Sequence, residues 1–281
     1  MTTSDRKLIL LTGSTDGLGR AMAHELATGS HTLILHGRSA EKLTHLRAEL
    51  YAAGTAAEVF TYVADFASLA DVRALARSVD ADFPRLDVLI NNAGIGSTTG
   101  GERRRTSADG YELRLAVNYL AGFLLTTQLL PLLRESVSAR IVNVASVGQQ
   151  SINFDDVMLL HGYSGTRAYC QSKLAQIAFT FELAQRLARD GVHNVAVNAL
   201  HPSSLMPTKI VWESFGYTLS TIEQGVEATL RLAVDPALEA VSGRYYDVLR
   251  EARADPQAYD AVARCQLWEL SEELTAAHVA N

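Results

Sequence analysis

Tyr169 and Lys173 stand one helical turn apart in the run Tyr169-Cys170-Gln171-Ser172-Lys173, and Ser146 precedes them. A phenol, an amine and a hydroxyl brought together can move a proton to or from an alcohol oxygen. The phenol donates or accepts, and the amine one turn on favours the phenolate by Coulomb attraction. The hydroxyl holds the oxygen and stabilises its developing charge. A free tyrosine titrates near 10, so only about one in a thousand is phenolate at neutral pH. Each unit of lowered pKa raises that population about tenfold and corresponds to about 1.4 kcal/mol. A Tyr-x-x-x-Lys pair alone is common on helices, so its weight comes from what surrounds it.

Upstream, the apolar run Leu8–Leu11 leads into Thr12-Gly13-Ser14-Thr15-Asp16-Gly17-Leu18-Gly19. A strand that ends in a tight glycine turn and opens into a helix aims free N–H groups at an anion, and the helix dipole adds to the attraction. Gly13 can take turn geometry closed to other residues. Gly17 lets a pyrophosphate approach the backbone, and Gly19 lets the helix pack close to the sheet. A plain strand–helix turn does not need three glycines at this Gly-x-x-x-Gly-x-Gly spacing. The second strand ends in Leu35-His36-Gly37-Arg38-Ser39, with no acid to bond a ribose 2′-hydroxyl. Arg38 can pair bidentately with a 2′-phosphate and Ser39 can add a hydroxyl donor, which points to NADP(H), with NAD still possible. The bland alternative makes Arg38 an exposed loop arginine and Ser39 a helix N-cap. Asp16, an acid inside the glycine loop, works against a phosphate.

The elements that must position these groups alternate along the chain. Strands are expected at Leu8–Thr12, Thr32–His36, Ala57–Val63, Leu86–Ile90, Arg140–Ala145 and Val195–Leu200, with a seventh, Arg244–Tyr246, at an edge. Their continuous apolar character suits strands buried on both faces. Helices are expected at Leu18–Gly29, Glu41–Ala53, Leu69–Asp82, Tyr111–Arg134, Ala168–Asp190 and Ile222–Val234, with a helical tail from Asp255 to Thr275. Ser39, Ser68 with Asp71, and Thr221 with Gln224 supply helix starts. The pattern predicts an α/β fold: a doubly wound parallel sheet of Rossmann type, about seven strands with helices on both faces, as a single domain over residues 1–281. Ser146 then falls at the carboxyl end of the fifth strand, where open α/β sheets place ligands.

Taken in order, the glycine loop, Asn91-Asn92-Ala93-Gly94, Ser146 and the Tyr169–Lys173 pair resemble the short-chain dehydrogenase/reductase family, firmly from Lys7 to Thr208 and loosely beyond. The resemblance implies a nicotinamide-dependent oxidoreductase in which Ser146, Tyr169 and Lys173 are catalytic and Lys173 also holds the nicotinamide ribose. Asn118, in Ala116-Val117-Asn118-Tyr119, matches a fourth catalytic position. There a side-chain amide breaks a local backbone bond and holds a water that gives Lys173 a proton path. The cofactor would lie on Gly13, Ser14, Thr15, Asp16, Gly17, Leu18 and Gly19, with Arg38 and Ser39 at its 2′ position. Asp65 in Ala64-Asp65-Phe66 matches the position that contacts the adenine amino group, although a role in starting the next helix fits the residues equally. Asn92, Ala93 and Gly94 border the cofactor, while Asn91 supports the sheet.

The long interval between Ser146 and Tyr169 and the tail around Trp268 resemble the retinol-dehydrogenase-like branch; packing of Trp268 and Leu270 into the core explains the tail as well. Members usually carry Pro-Gly after the sixth strand. Here the chain reads His201-Pro202-Ser203-Ser204-Leu205-Met206-Pro207-Thr208, so the loop beside the nicotinamide is expected to take a different path, with Pro202, Ser203 and Thr208 as its cofactor contacts. A lid over about 203–220 carries Met206, Trp212, Phe215 and Tyr217. With Val157, Met158, Leu159 and Leu160 it either walls a pocket for a lipophilic ketone or aldehyde or packs onto the body. Family members often pair the long helices into a homodimer or homotetramer.

Composition sets compatible bounds. The chain has 281 residues, 48% hydrophobic, and a formal charge of −6, enough for a large core. Arg103-Arg104-Arg105 is the only block of basic residues, a solvated loop or a contact for an anionic substrate group, so no nucleic-acid partner is expected. Two cysteines without ligand spacing fit a reducing cytoplasm, and no metal motif appears among the eight histidines. The first apolar run is too short for a signal core or a membrane span, so a cytoplasmic protein free of membrane is expected. Three functions stay open: an NADPH-dependent carbonyl reductase, an NAD-dependent alcohol dehydrogenase working oxidatively, and a non-catalytic nucleotide-binding protein.

Overall fold

The computed structural model describes residues 6–99 and 103–276, apart from the side chains at 214 and 215, which leaves the Phe215 side chain outside the described residues. In chain order the elements are β1 (Leu8–Leu11), α1 (Gly17–Leu26), β2 (Thr32–Gly37), α2 (Ala40–Ala52), β3 (Glu58–Val63), α3 (Leu69–Asp82), β4 (Val88–Asn91), α4 (Ala121–Arg134), β5 (Ala139–Val144), α5 (Gly165–Arg189), β6 (Val195–His201), α6 (Lys209–Phe215), α7 (Ile222–Val234), β7 (Arg244–Asp247), β8 (Arg250–Glu251) and α8 (Ala261–Ala276).

The strands form one eight-stranded sheet in the order β3-β2-β1-β4-β5-β6-β7-β8. All neighbours are parallel except the β7–β8 pair. Seven strands were expected; the eighth is a two-residue edge return too short to leave a periodic signal. Side chains of β1 divide between the two faces. Leu8 and Leu10 join a cluster with Leu75 of α3, Leu125 of α4, Leu174 of α5 and Trp268 of α8. Ile9 and Leu11 join one with Met22 of α1, Leu46 of α2 and Leu232 of α7. This burial on both faces is why β1 and Val88–Ile90 of β4 read as apolar runs, while β5 is buried throughout with Arg140 and Asn143 among its apolar residues.

The helix starts follow the expected chemistry. Ser39, Ser68 and Thr221 accept from the backbone N–H of Lys42, Asp71 and Gln224, respectively. One expectation changes: Tyr111–Arg134 is not a uniform helix. A π-helical turn, Leu115–Leu120, precedes α4, and the Ala121 N–H reaches back to the Ala116 carbonyl. Such a turn inserts one residue into the helical ladder and tends to mark functional positions. Asn118 lies within it.

Helix α8 lies across the face formed by α4 and α5. Trp268 packs edge-on to Phe123 at 5.2 Å and stacks near Phe179 at 5.9 Å, beneath the Arg186 guanidinium at 4.1 Å. The core position beside it is Leu267, whereas Leu270 is only half-buried. The strand order reverses between β1 and β4, so the carboxyl ends of these strands open a crevice with the glycine loop on one side and Asn92-Ala93-Gly94 on the other.

Candidate active site

The glycine loop owes its shape to close approach. Gly13 and Gly17 have φ of 67° and 48°, values that favour glycine. A Cβ on Gly13 would stand 2.8 Å from Ala93 Cα, and one on Gly19 would overlap the Gly13 carbonyl oxygen. Asn92 locks the loop from β4, its amide donating to the carbonyls of Thr12 and Gly13 at 2.9 and 3.2 Å. Thr12 Oγ1 accepts from the N–H groups of Asn92 and Ala93. Asn91 bonds Thr126 and Asn143 inside the sheet, the supporting role expected of it.

Ser14 is buried and donates to the His36 carbonyl, so its side chain shapes the loop from below. Asp16 caps α1 by accepting from the Gly17 N–H at 2.9 Å and pairs with Lys42 at 3.5 Å, which offsets its negative charge. The next first-turn donors, on Leu18 and Gly19, have no intrahelical acceptor and are directed at whatever occupies the crevice. Thr15 lies against Gly37, at the end of β2.

His36 escaped the sequence reading. It is buried at the end of β2, accepts from the Gly13 N–H through Nδ1 at 3.3 Å and donates from Nε2 to the Ala64 carbonyl at 3.1 Å. Its ring stacks on Phe66 at 4.3 Å. One imidazole therefore joins the glycine loop, β2 and the segment after β3. Desolvation is the main reason its pKa falls to about 4, so it works as a neutral Nε2–H tautomer. The stacking places the Phe66 side chain in the core and leaves its backbone for any cofactor contact. Asp65 accepts from the Ala67 N–H at 3.0 Å, and Arg38 is exposed with no ion pair or hydrogen bond among the described residues. The Ser39 hydroxyl accepts from Lys42 N and keeps its proton free to donate.

The catalytic candidates converge around two glycines. Ser146 follows β5, and its Oγ accepts from the Gly148 N–H at 3.0 Å. A Cβ on Gly148 would lie 3.4 Å from Ser146 Oγ and 3.6 Å from Tyr169 Cε1, so hydroxyl and phenol flank one small space. A Cβ on Gly94 would lie 3.2 Å from Asn118 Oδ1 and 3.7 Å from Lys173 Nζ, which brings these two together on the other side. Lys173 Nζ is 5.8 Å from the Tyr169 ring centroid. It donates to the Val144 carbonyl at 2.8 Å and to Gln176 Oε1 at 2.9 Å.

The electrostatics differ from the expectation that Lys173 lowers the Tyr169 pKa. Burial raises the phenol, and the Ser146 hydroxyl is the influence that pulls it back. Burial also brings Lys173 down to about 7, because its ammonium sits in the core with two neutral partners and no carboxylate. Asn118 clamps the backbone after β4: Oδ1 accepts from Ile95 N at 2.8 Å, and Nδ2 donates to Ile95 O at 3.2 Å and Ser172 Oγ at 2.9 Å.

Arg114 was also missed, because a helical arginine reads as a surface residue. It is fully buried and donates to the carbonyls of Gly96, Ser97 and Thr99 and to the Tyr163 hydroxyl, with Glu112 at 3.5 Å. It thereby holds the loop after β4 against the segment leading into α5.

After β6, Pro202 and Ser203 are buried. Ser203 has no positive φ, and the left-handed residue of this loop is Leu205, φ 50°. Thr208 caps α6, and its methyl group would be 3.2 Å from a Cβ on Gly17, which sets the lid directly on the glycine loop. Met206 is buried in the core with Leu18 and packs on Gly225 of α7, where a side chain would collide with it. Trp212 and Tyr217 are half exposed, Leu159 is buried and Leu160 faces solvent. Arg104 of the basic triplet donates to the Met158 carbonyl at 2.8 Å.

A nucleotide crevice at the switch point, with a serine, tyrosine, lysine and asparagine gathered at its mouth, defines an NAD(P)-dependent oxidoreductase of Rossmann type. The sequence matches the short chain dehydrogenase family over residues 7–215, and the chain belongs to that family. It is 36% identical to retinol dehydrogenase 14 of Mus musculus, over 95% of this chain and 85% of that protein. Retinol dehydrogenase 13 of the same organism is 34% identical over 98% of this chain and 85% of its own length. A solved protein from Mycobacterium paratuberculosis superposes with a TM-score of 0.78 at 30% identity, covering 96% of this chain and 93% of that one. A short chain dehydrogenase of Shigella flexneri solved with NADP gives 0.70 at 26% identity, covering 87% and 97%. These likenesses agree with the retinol-dehydrogenase-like branch.

The residues fit a nicotinamide dinucleotide. The close-packed glycine loop leaves the first-turn N–H groups of Leu18 and Gly19 without intrahelical acceptors, and Arg38, exposed after β2, has no partner among the described residues.

Proposed function

We propose that this enzyme reduces a lipophilic aldehyde or ketone, of the size and polarity of retinaldehyde, to the alcohol, with NADPH as the preferred cofactor. The observation that carries the reading is the convergence of Ser146 with Tyr169 about Gly148, and of Lys173 with Asn118 about Gly94. When bound, the cofactor supplies the hydride. Ser146, with one lone pair engaged by the Gly148 N–H, directs its proton at the substrate oxygen. Tyr169, kept protonated by burial, gives that oxygen its proton. Lys173, with a pKa of about 7, is poised to return a proton to the phenolate. The exposed apolar side chains of Trp212, Tyr217 and Leu219 at the lid support an apolar substrate.

Arg38 and the Ser39 hydroxyl support NADPH, and the Lys42–Asp16 pair removes the electrostatic objection to a 2′-phosphate. The reading includes a single domain working in the cytoplasm. Among the described residues one helix, Leu115–Arg134, has the length and composition of a membrane span, and 67% of its apolar 18-residue window is buried within the fold. It also includes a homo-oligomer paired through surfaces of α4 and α5 that α8 leaves free.

The test is turnover of retinaldehyde and a panel of apolar aldehydes and ketones with NADPH or NADH, beside retinol with the oxidised cofactors. Tyr169→Phe is expected to lower kcat about 10²–10⁴-fold while cofactor binding persists. Undiminished turnover in that variant would overturn the assignment. Oxidation of alcohols with NAD as the only turnover would replace it with the oxidative dehydrogenase. Cofactor binding without turnover of any carbonyl or alcohol would leave a nucleotide-binding protein.

A further inference from the structure

The last backbone bond tying β5 to the sheet is Ala145 N–H to the Leu200 carbonyl. Ser146 is the next residue, so its position depends on bonds made outside the strand ladder. Its carbonyl accepts from Tyr245 Oη at 3.1 Å and from Gln149 Nε2 at 3.0 Å. Tyr245 is buried on β7, in register with Ala199 of β6, which is itself in register with Asn143 of β5. The small side chain of Ala199 leaves the tyrosine room to reach across β6 to the end of β5. Burial, with the nearby Asp247, raises the Tyr245 pKa and keeps the hydroxyl a donor.

The same loop is gripped further along. Gln149 Oε1 accepts from Asp255 N at 2.8 Å, and Ser151 Oγ donates to Asp255 at 3.1 Å. Gln257 closes a two-point clamp on Ile152, accepting from its N–H at 2.6 Å and donating to its carbonyl at 3.1 Å. Tyr245, Asp255 and Gln257 all lie beyond residue 215, where the match to the family model ends.

We infer that Tyr245 is a positioning residue for Ser146: with Gln149 and the Asp255–Gln257 clamp, it fixes the Ser146 carbonyl so that the hydroxyl faces the substrate oxygen. This rests on the proposed role of Ser146. With the carbonyl held by two donors and Oγ already accepting from Gly148, the loop sets the direction of the hydroxyl, between the Tyr169 phenol and the substrate oxygen. Tyr245 and the Asp255–Gln257 clamp thus act on the reacting oxygen through Ser146.

The experiment is a double-mutant cycle on the full chain, using the carbonyl turned over fastest by the wild type. Tyr245→Phe leaves the Gln149 donor in place and is expected to fold, to lower kcat about tenfold and to leave cofactor KM unchanged. In a Ser146→Ala background the same change is expected to have no further effect on kcat. In the cofactor-free protein, the Gly148 amide is expected to exchange hydrogen faster in Tyr245→Phe and in Gln257→Ala. An unchanged kcat in Tyr245→Phe overturns the inference alone, as does an equal loss in both backgrounds or an unchanged Gly148 exchange rate. Full activity in Ser146→Ala overturns the reading of Ser146 and the inference with it.

Discussion

The Lys173 ammonium lies 5.8 Å from the centre of the Tyr169 ring, yet its hydrogen bonds go to the Val144 carbonyl and to Gln176 and not to the phenol. The pair that looks like a simple Coulomb couple in sequence is built differently. Ser146 is the direct partner of the phenol, and Lys173 is a desolvated amine held in reserve beside Gly94 and Asn118.

That burial has a pH signature. Lys173 has a pKa of about 7 in the folded chain against 10.5 normally, so between these values the unfolded chain binds a proton that the cofactor-free native state does not. Stability therefore rises with pH across this window, and the penalty is fully present below about pH 7. At about 1.4 kcal/mol per unit, it amounts to a few kcal/mol. Denaturant unfolding at pH 7 and 9.5 should show wild type gaining on Lys173→Met at the higher pH; a constant difference would refute it.

His36 titrates in a different window. Its folded pKa of about 4 lies below the usual 6.5, so stability is retained above pH 6.5 and lost as pH falls towards 4. The loss relative to His36→Gln should approach about 3 kcal/mol. Since His36 holds the Gly13 N–H, cofactor affinity should weaken over the same range. Parallel acid curves for the two proteins would contradict this.

Arg38→Ala should weaken NADPH binding about 10- to 100-fold, the loss of one charge-assisted contact, and leave NADH binding unchanged. Equilibrium titration of both cofactors reads this directly. Equal binding of both by wild type, insensitive to the substitution, would remove the argument for a 2′-phosphate site.

Arg114→Ala strips the carbonyls of Gly96, Ser97 and Thr99 of their donor and leaves Glu112 buried without its cation. The expected cost is about 3–5 kcal/mol. Arg114→Lys should recover little of it, because an ammonium cannot reproduce the planar fork that reaches these acceptors. Urea unfolding of both variants decides it; a loss below about 1 kcal/mol for Arg114→Ala would mean that the network contributes little.

Much of this molecule was legible in its residues. Apolar runs of strand length alternate with amphipathic segments, and only a parallel sheet covered on both faces buries both kinds. The glycine spacing predicted the loop because close approach at Gly13 and Gly19 excludes any side chain, a demand written into residue type. The chemistry of Tyr169, Lys173 and Ser146 is legible in residue type and order, whereas Asn118 followed only from the resemblance to the short-chain dehydrogenase/reductase family.

What only the tertiary structure decided depends on neighbours distant in sequence. His36 and Arg114 carry no local signal, because a histidine that ends a strand and an arginine that starts a helix acquire meaning from the carbonyls and ring brought against them. The π-helical turn at Leu115–Leu120 has no periodicity of its own to betray it. The pKa of Lys173 is set by desolvation in the assembled core, and its i,i+4 spacing from Tyr169 says nothing of where the ammonium points. Tyr245, remote from Ser146 along the chain, meets its carbonyl because β7 lies one strand beyond β6 and Ala199 leaves the gap. Residue type and spacing determine which groups can react; the packing of one strand against the next determines which way they face.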